Sequence, residues 1–172
     1  MPEIATHNDF VISRVFDVPR DLLWTCFTDP ERMRQWWGPK GFKVRISDMD
    51  LREGGSYHYC LEAPDGAAMW GLFQFRQIVP GERLVFVSSF SDAERQITRH
   101  PLQEVWPLTL LSTFSFADAP GGKSEFTVRW RPWDATEAEQ RAFKENHDSM
   151  VQGWSGTMDQ LAAYVENTSD EV

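Results

Sequence analysis

Between residues 10 and 18, apolar and β-branched positions are interrupted by Ser13 and Arg14, which predicts a first strand in a partly solvated sheet. Pro19 suits a first helical turn. Leu23 and Phe27 follow one turn apart with Trp24 beside them, so a short helix with one apolar face is expected there. Asp29-Pro30-Glu31 predicts a second helix: Asp caps, Pro takes the first helical position and Glu faces the positive end of the helix dipole. Gly38-Pro39 ends it.

Strand patterning returns at residues 43–51 and 56–62, the latter alternating Tyr57, Tyr59 and Leu61 against His58 and Cys60. Asp65-Gly66 and Pro80-Gly81 are turn signals, so residues 69–79 and 83–90 should pair antiparallel with their neighbours. Residues 91–106 mix charge with a His-Pro pair and have little periodicity, which predicts an irregular lip ending at Trp106. Residues 108–116 and 125–130 flank Gly121-Gly122 as a last hairpin. Its expected core faces are Leu110, Phe114 and Phe116 on one strand and Phe126, Val128 and Trp130 on the other.

Thr136 with Glu139 three positions on is a capping box, and no proline follows it, so one helix should run to about residue 167. Phe143, His147, Met150, Val151, Trp154, Met158, Leu161 and Val165 recur along it at three- and four-residue intervals. That stripe lies along a helix of about 45 Å and needs a sheet to meet.

The order is strand, two short helices, five further strands and a long helix, with connections too short for parallel crossovers. The fold class is therefore α+β: a curved antiparallel six-stranded sheet wrapped around a long C-terminal helix, with an apolar pocket between them. Residues 8–167 form one domain, and residues 1–7 and 168–172 are expected to be flexible tails. A chain of 172 residues can bury enough surface to fold without disulfides, and Cys26 and Cys60, each in an apolar stretch, read as buried thiols.

The formal charge of −9 and pI near 4.9 argue against a nucleic-acid partner, which would need clustered Lys and Arg. No apolar run approaches the ~18 residues of a membrane span, and no leader pattern opens the chain; a cytoplasmic, non-membrane protein is expected. The acceptor pattern at Asn167-Thr168-Ser169 is then a chance occurrence.

Candidate chemistry is sparse. His7, His58 and His100 are scattered, and no HExxH, CxxC or paired-carboxylate spacing accompanies them, so no metal is expected. The glycine pairs lack the spacing that cradles phosphates, and no cofactor is expected. Gly153-Trp154-Ser155-Gly156 has the look of a serine-nucleophile motif, but its second glycine comes one position early and it lies within a helix. His147, on the apolar stripe, could hydrogen-bond a ligand or carry a proton near neutral pH, or could be a buried histidine bonded to Tyr57 or Tyr59. The tryptophans could grip flat apolar molecules or simply pack; Trp154, between Gly153 and Gly156, is the favoured pocket residue.

Strand alternation and the helix stripe together nominate a pocket of Tyr57, Tyr59, Phe73, Phe75, Phe86, Ser88, Phe143, His147, Met150 and Trp154. A bulge within residues 69–79 would exchange Phe73 and Phe75 for Leu72 and Gln74.

Several segments are similar to a known family: Arg14-Val15-Phe16-Asp17-Val18-Pro19, Thr28-Asp29-Pro30, Trp36-Trp37-Gly38-Pro39, Gly54-Gly55, Pro80-Gly81-Glu82-Arg83-Leu84, and, later, His147-Asp148-Ser149-Met150 and Gly153-Trp154-Ser155-Gly156. Over about residues 8–165 the chain resembles the SRPBCC superfamily, within it the branch similar to the activator of heat-shock-protein-90 ATPase. The resemblance implies the helix-grip fold of START and birch-pollen-allergen domains, whose members hold apolar ligands between sheet and C-terminal helix. It does not imply one shared function.

The leading expectation is a non-catalytic module for a small hydrophobic or aromatic molecule. One alternative is a cyclase-, dehydratase- or hydrolase-type enzyme in the same pocket, with His147 as proton carrier and a tyrosine hydroxyl polarising a carbonyl. Another is a protein-interaction module, chaperone regulation included, working through the sheet's outer face or the lip. A homodimer is left open.

Overall fold

The computed structural model of the chain describes residues 9–101 and 103–169. Among the described residues, eight strands form one antiparallel sheet: β1 (Phe10–Phe16), β2 (Lys43–Met49), β3 (Ser56–Glu62), β4 (Ala68–Val79), β5 (Arg83–Ser91), β6 (Ile97–Thr98), β7 (Thr109–Ala119) and β8 (Lys123–Trp133). Their order is β1-β8-β7-β5-β4-β3-β2, with β6 beside the end of β5. The helices are α1 (Arg20–Thr28), α2 (Pro30–Met33), α3 (Glu137–Glu145) and α4 (His147–Ser169).

Four expectations are corrected. The sheet has eight strands rather than six: the strand-patterned runs themselves number seven, all of them pair, and Ile97–Thr98 in the lip pairs with Phe90 and Ser91 as an eighth. The last hairpin is longer than predicted because pairing continues to Ala119↔Lys123, right up to the glycine turn. The C-terminal helix is broken at Asn146. There the side-chain Nδ2 donates to the Ala142 carbonyl at 2.7 Å, the acceptor the Asn146 backbone would use in a continuous helix, and its own N–H turns to Phe143 O. Finally, Val151, assigned to the apolar stripe, is exposed; α4 itself ends at Ser169, close to the expected end at about residue 167. The remaining tail residues lie outside the described residues.

The predicted caps form. Asp29 accepts from the Glu31 N–H at 3.0 Å, and Thr136 and Glu139 make both bonds of a capping box. Helix α1 packs on the sheet through Phe27, stacked on Phe126 at 4.5 Å and edge-on to Phe114 and Phe116. Helix α4 is clamped at its flanks. Arg14 on β1 pairs with Asp159 at 2.9 Å, and Gln160 donates to the carbonyls of Trp36 and Gly38 at the end of the α2 loop. Met158, Leu161 and Val165 on the same helix are buried. No described helix is long and apolar enough to cross a membrane.

The turn between β2 and β3 depends on a close backbone approach. A Cβ on Gly55 would sit 2.2 Å from the Asp50 carbonyl oxygen, and Gly55 also bonds the Phe75 N–H across to β4 at 3.0 Å. Gly55→Ala is expected to cost about 2–4 kcal/mol, because backbone rather than a flexible side chain must yield. Urea denaturation of the variant checks this.

Asp9 anchors the start of β1. Its buried carboxylate bonds Arg129 at 2.7 Å and Arg131 at 3.0 Å. Burial alone would raise its pKa, but the two guanidinium groups outweigh burial and hold it below the ordinary carboxylate value. A depressed folded-state pKa means that this contribution is complete above about pH 4 and lost as pH falls through the folded value. Asp9→Asn should therefore lower stability at pH 7 and narrow the difference between melting at pH 7 and at pH 3. Melting curves at both pH values measure it.

Candidate functional site

The inward faces of β3, β4, β5 and β7 and the underside of α4 leave a partly open cavity of about 360 Å³. Its sheet side carries Tyr59, Phe73, Phe86, Ser88, Leu110 and Phe114; α4 contributes Met150, Gly153, Trp154 and Thr157. Trp37, Gly38 and Pro39 close one side, and His100, Gln103 and Trp106 of the lip close another. The lip is fastened to the helices: Arg99 pairs with the buried Glu139 on α3 and donates to the Trp106 carbonyl, while Asn146 reaches Gln103 at 3.5 Å.

The walls are aromatic rings locked against one another. Phe73 stacks on Phe86 at 4.1 Å, and Trp154 sits 5.7–6.0 Å from Trp37, Phe114, Phe126 and Trp130. Gly71, opposite Tyr59 across the β3–β4 ladder, makes room for one wall: a Cβ there would lie 2.3 Å from the Tyr59 ring. The tyrosine thus lies flat over the glycine, stacked on Tyr57 at 5.0 Å.

Of the ten residues nominated from sequence, the cavity gathers Tyr59, Phe73, Phe86, Ser88, Met150 and Trp154. The other four are elsewhere. Tyr57 is fully buried behind Tyr59. Phe75 points inward but lies toward the Gly54-Gly55 turn, bonding Gly55 through its backbone. The bulge in β4 falls after Phe75, so the assigned strand faces hold. Phe143 packs between Trp106 and His147 as core. His147 opens α4 with its ring against Phe10 and Phe143 and its Nε2 buried without a partner, bonded to neither Tyr57 nor Tyr59.

Lining residues outside the ten nominated include Trp37, Gly71, His100, Gln103 and Trp106. Trp37 stood in a signalled Trp-Trp-Gly-Pro segment. His100 and Gln103 come from the aperiodic lip, where no repeat predicts which way a side chain points.

None of the described lining residues is Asp, Glu, Lys or Arg. The nearest cations along the chain are already engaged: Arg99 with Glu139, Lys40 with Asp159 at 3.4 Å, and Arg131 with Asp9 at 3.0 Å. Burial holds the Tyr59 phenol well above its usual range, with the Trp37 indole pulling the other way, and burial lowers His100. Both groups are neutral at pH 7. Cys26 is pushed up to about 11 by burial, so it stays a protonated core thiol. Among the described residues, no group of three or more His, Cys, Asp or Glu side chains is placed to hold a metal. The site therefore offers shape, aromatic surface and neutral hydrogen-bonding groups.

The fold is shared with solved structures of low identity. A protein from Nitrosomonas europaea is 21% identical, with 94% of this chain and 96% of that one covered and a TM-score of 0.73. One from Arthrobacter aurescens is 22% identical, with 96% and 90% covered and a TM-score of 0.76. The AHSA1 protein from Silicibacter pomeroyi is 20% identical, with 93% and 99% covered and a TM-score of 0.67. These likenesses show the helix-grip fold alone. No curated protein matches the chain. The model of the family described as "Activator of Hsp90 ATPase homolog 1-like protein" matches residues 17–166, and the chain accordingly belongs to that family, within the SRPBCC superfamily.

Proposed function

We propose that this chain binds a small apolar or aromatic molecule, without transforming it, in the cavity between the sheet and α4. The observation that carries the reading is the cavity itself: about 360 Å³ walled by Phe73, Phe86, Phe114 and Trp154 with no charged side chain in its lining. That volume and lining suit a small ligand held by burial and ring contact. His147, the proton carrier of the enzymatic alternative, is not among the described lining residues.

Thermal-shift screening of uncharged aromatic compounds tests the proposal. A ligand at 100 times its dissociation constant adds about 2.7 kcal/mol of stability, so binders should raise the melting temperature by several degrees, and Trp154→Ala should abolish the effect. A library without a single stabilising compound would count against the reading.

A further inference from the structure

We propose that the ligand is an uncharged, flat aromatic molecule bearing a hydroxyl group that donates to Ser88 Oγ at the sheet wall of the cavity. This rests on the binding function proposed above and narrows its ligand class.

The lining offers no cation for an anionic ligand. Moving a carboxylate from water to this wall without a partner is strongly unfavourable. The ring walls set the shape: Phe73 lies stacked on Phe86, edge-on to Phe114, and Trp154 faces them from α4.

Within this aromatic wall the sheet places two hydroxyls together. Ser88 on β5 and Ser112 on β7 face inward with their oxygens 2.9 Å apart; Ser112 is fully buried and Ser88 is 9% exposed and lines the cavity. Ser88 also donates to the Leu110 carbonyl at 3.5 Å. Two protons must be placed. If Ser112 donates to Ser88 Oγ and Ser88 donates to Leu110, both are used, and among the described contacts only this order uses both. Ser88 Oγ then keeps one lone pair, and Ser88 lines the cavity. A hydroxyl oxygen has two acceptor positions, so the wall presents an acceptor, and the complementary ligand group is a donor.

The test uses three probes of one shape on the full chain, by isothermal titration calorimetry at pH 7: 2-naphthol, 2-methylnaphthalene and 2-naphthoate. The expected order has 2-naphthol about tenfold tighter than its methyl isostere and about a hundredfold tighter than the carboxylate. In the double variant Ser88→Ala/Ser112→Ala, which removes both hydroxyls and so leaves no orphaned proton, the preference for 2-naphthol over 2-methylnaphthalene should disappear. Equal binding of these two by the unaltered protein overturns the Ser88 anchor, with the apolar-cavity reading left standing. Tightest binding by 2-naphthoate overturns the uncharged class. Absence of binding by all three removes the proposal together with the reading it rests on.

Discussion

Trp154→Ala should lower stability by about 3–5 kcal/mol, the range for truncating a buried aromatic core residue. Trp154 joins parts of the fold that the chain brings together from far apart: Trp37 from the loop after α2, Phe114 from β7, and Phe126 and Trp130 from β8, each with ring centroids within 6.0 Å. Its loss leaves those four rings facing a void, and the helix above them cannot collapse inward while Gln160 and Asp159 hold it at the loop and at β1. For a domain of this size the melting temperature should fall by about 10 °C, and ligand-induced stabilisation should vanish with it. Trp133 is the control: it is 37% exposed, with the Arg76 guanidinium 5.3 Å from its ring. Trp133→Ala should cost about 1 kcal/mol or less. Equal costs for the two variants would mean that Trp154 is not the keystone between helix and sheet.

Gly71→Ala has its largest expected effect on binding rather than on stability. The added methyl would overlap the Tyr59 ring at 2.3 Å, and that ring is already bounded by Tyr57 on its face and by the edges of Trp37 and Phe73. The free volume left to it is the cavity, so Tyr59 should swing inward and shrink the space a ligand occupies. A stability cost of about 1–3 kcal/mol is expected from the strained packing, with a loss of affinity of about tenfold or more. A double-mutant cycle with Tyr59→Ala isolates the cause: with the ring removed, the alanine at position 71 should be nearly harmless. Additive effects of the two substitutions would show that Gly71 acts by some route other than the Tyr59 ring.

The parts of this fold legible in the sequence are those written in local periodicity. The capping box at Thr136, the Asp29-Pro30 start and the inward faces of β7 and β8 each follow from a pattern that one element imposes on its own residues. Asn146 broke the long-helix expectation because an asparagine side chain can take the carbonyl its own turn needs, a competition that apolar spacing does not register. The cavity was half legible for a related reason. Alternation says which face of a strand a side chain occupies, but not how far along the sheet the cavity extends; Tyr57 and Tyr59 share a face, and only Tyr59 reaches the cavity. His147 sat in the expected helical register, yet the break at Asn146 makes it the first residue of α4, beside Phe10 of β1. The lip residues His100, Gln103 and Trp106 depend on tertiary ties such as Arg99–Glu139, which carry no sequence period at all.

Chemical-shift mapping with methyl-labelled methionine tests the central claim, that the space between sheet and α4 is the ligand site. Met69 and Met150 line the cavity, whereas Met33 is buried in α2 and Met49 lies on β2, both outside it. On titration with 2-naphthol the Met69 and Met150 methyl signals should move together along one saturating curve while those of Met33 and Met49 stay in place. Saturating shifts at Met33 or Met49 with Met69 and Met150 unmoved would place the ligand elsewhere and contradict the account.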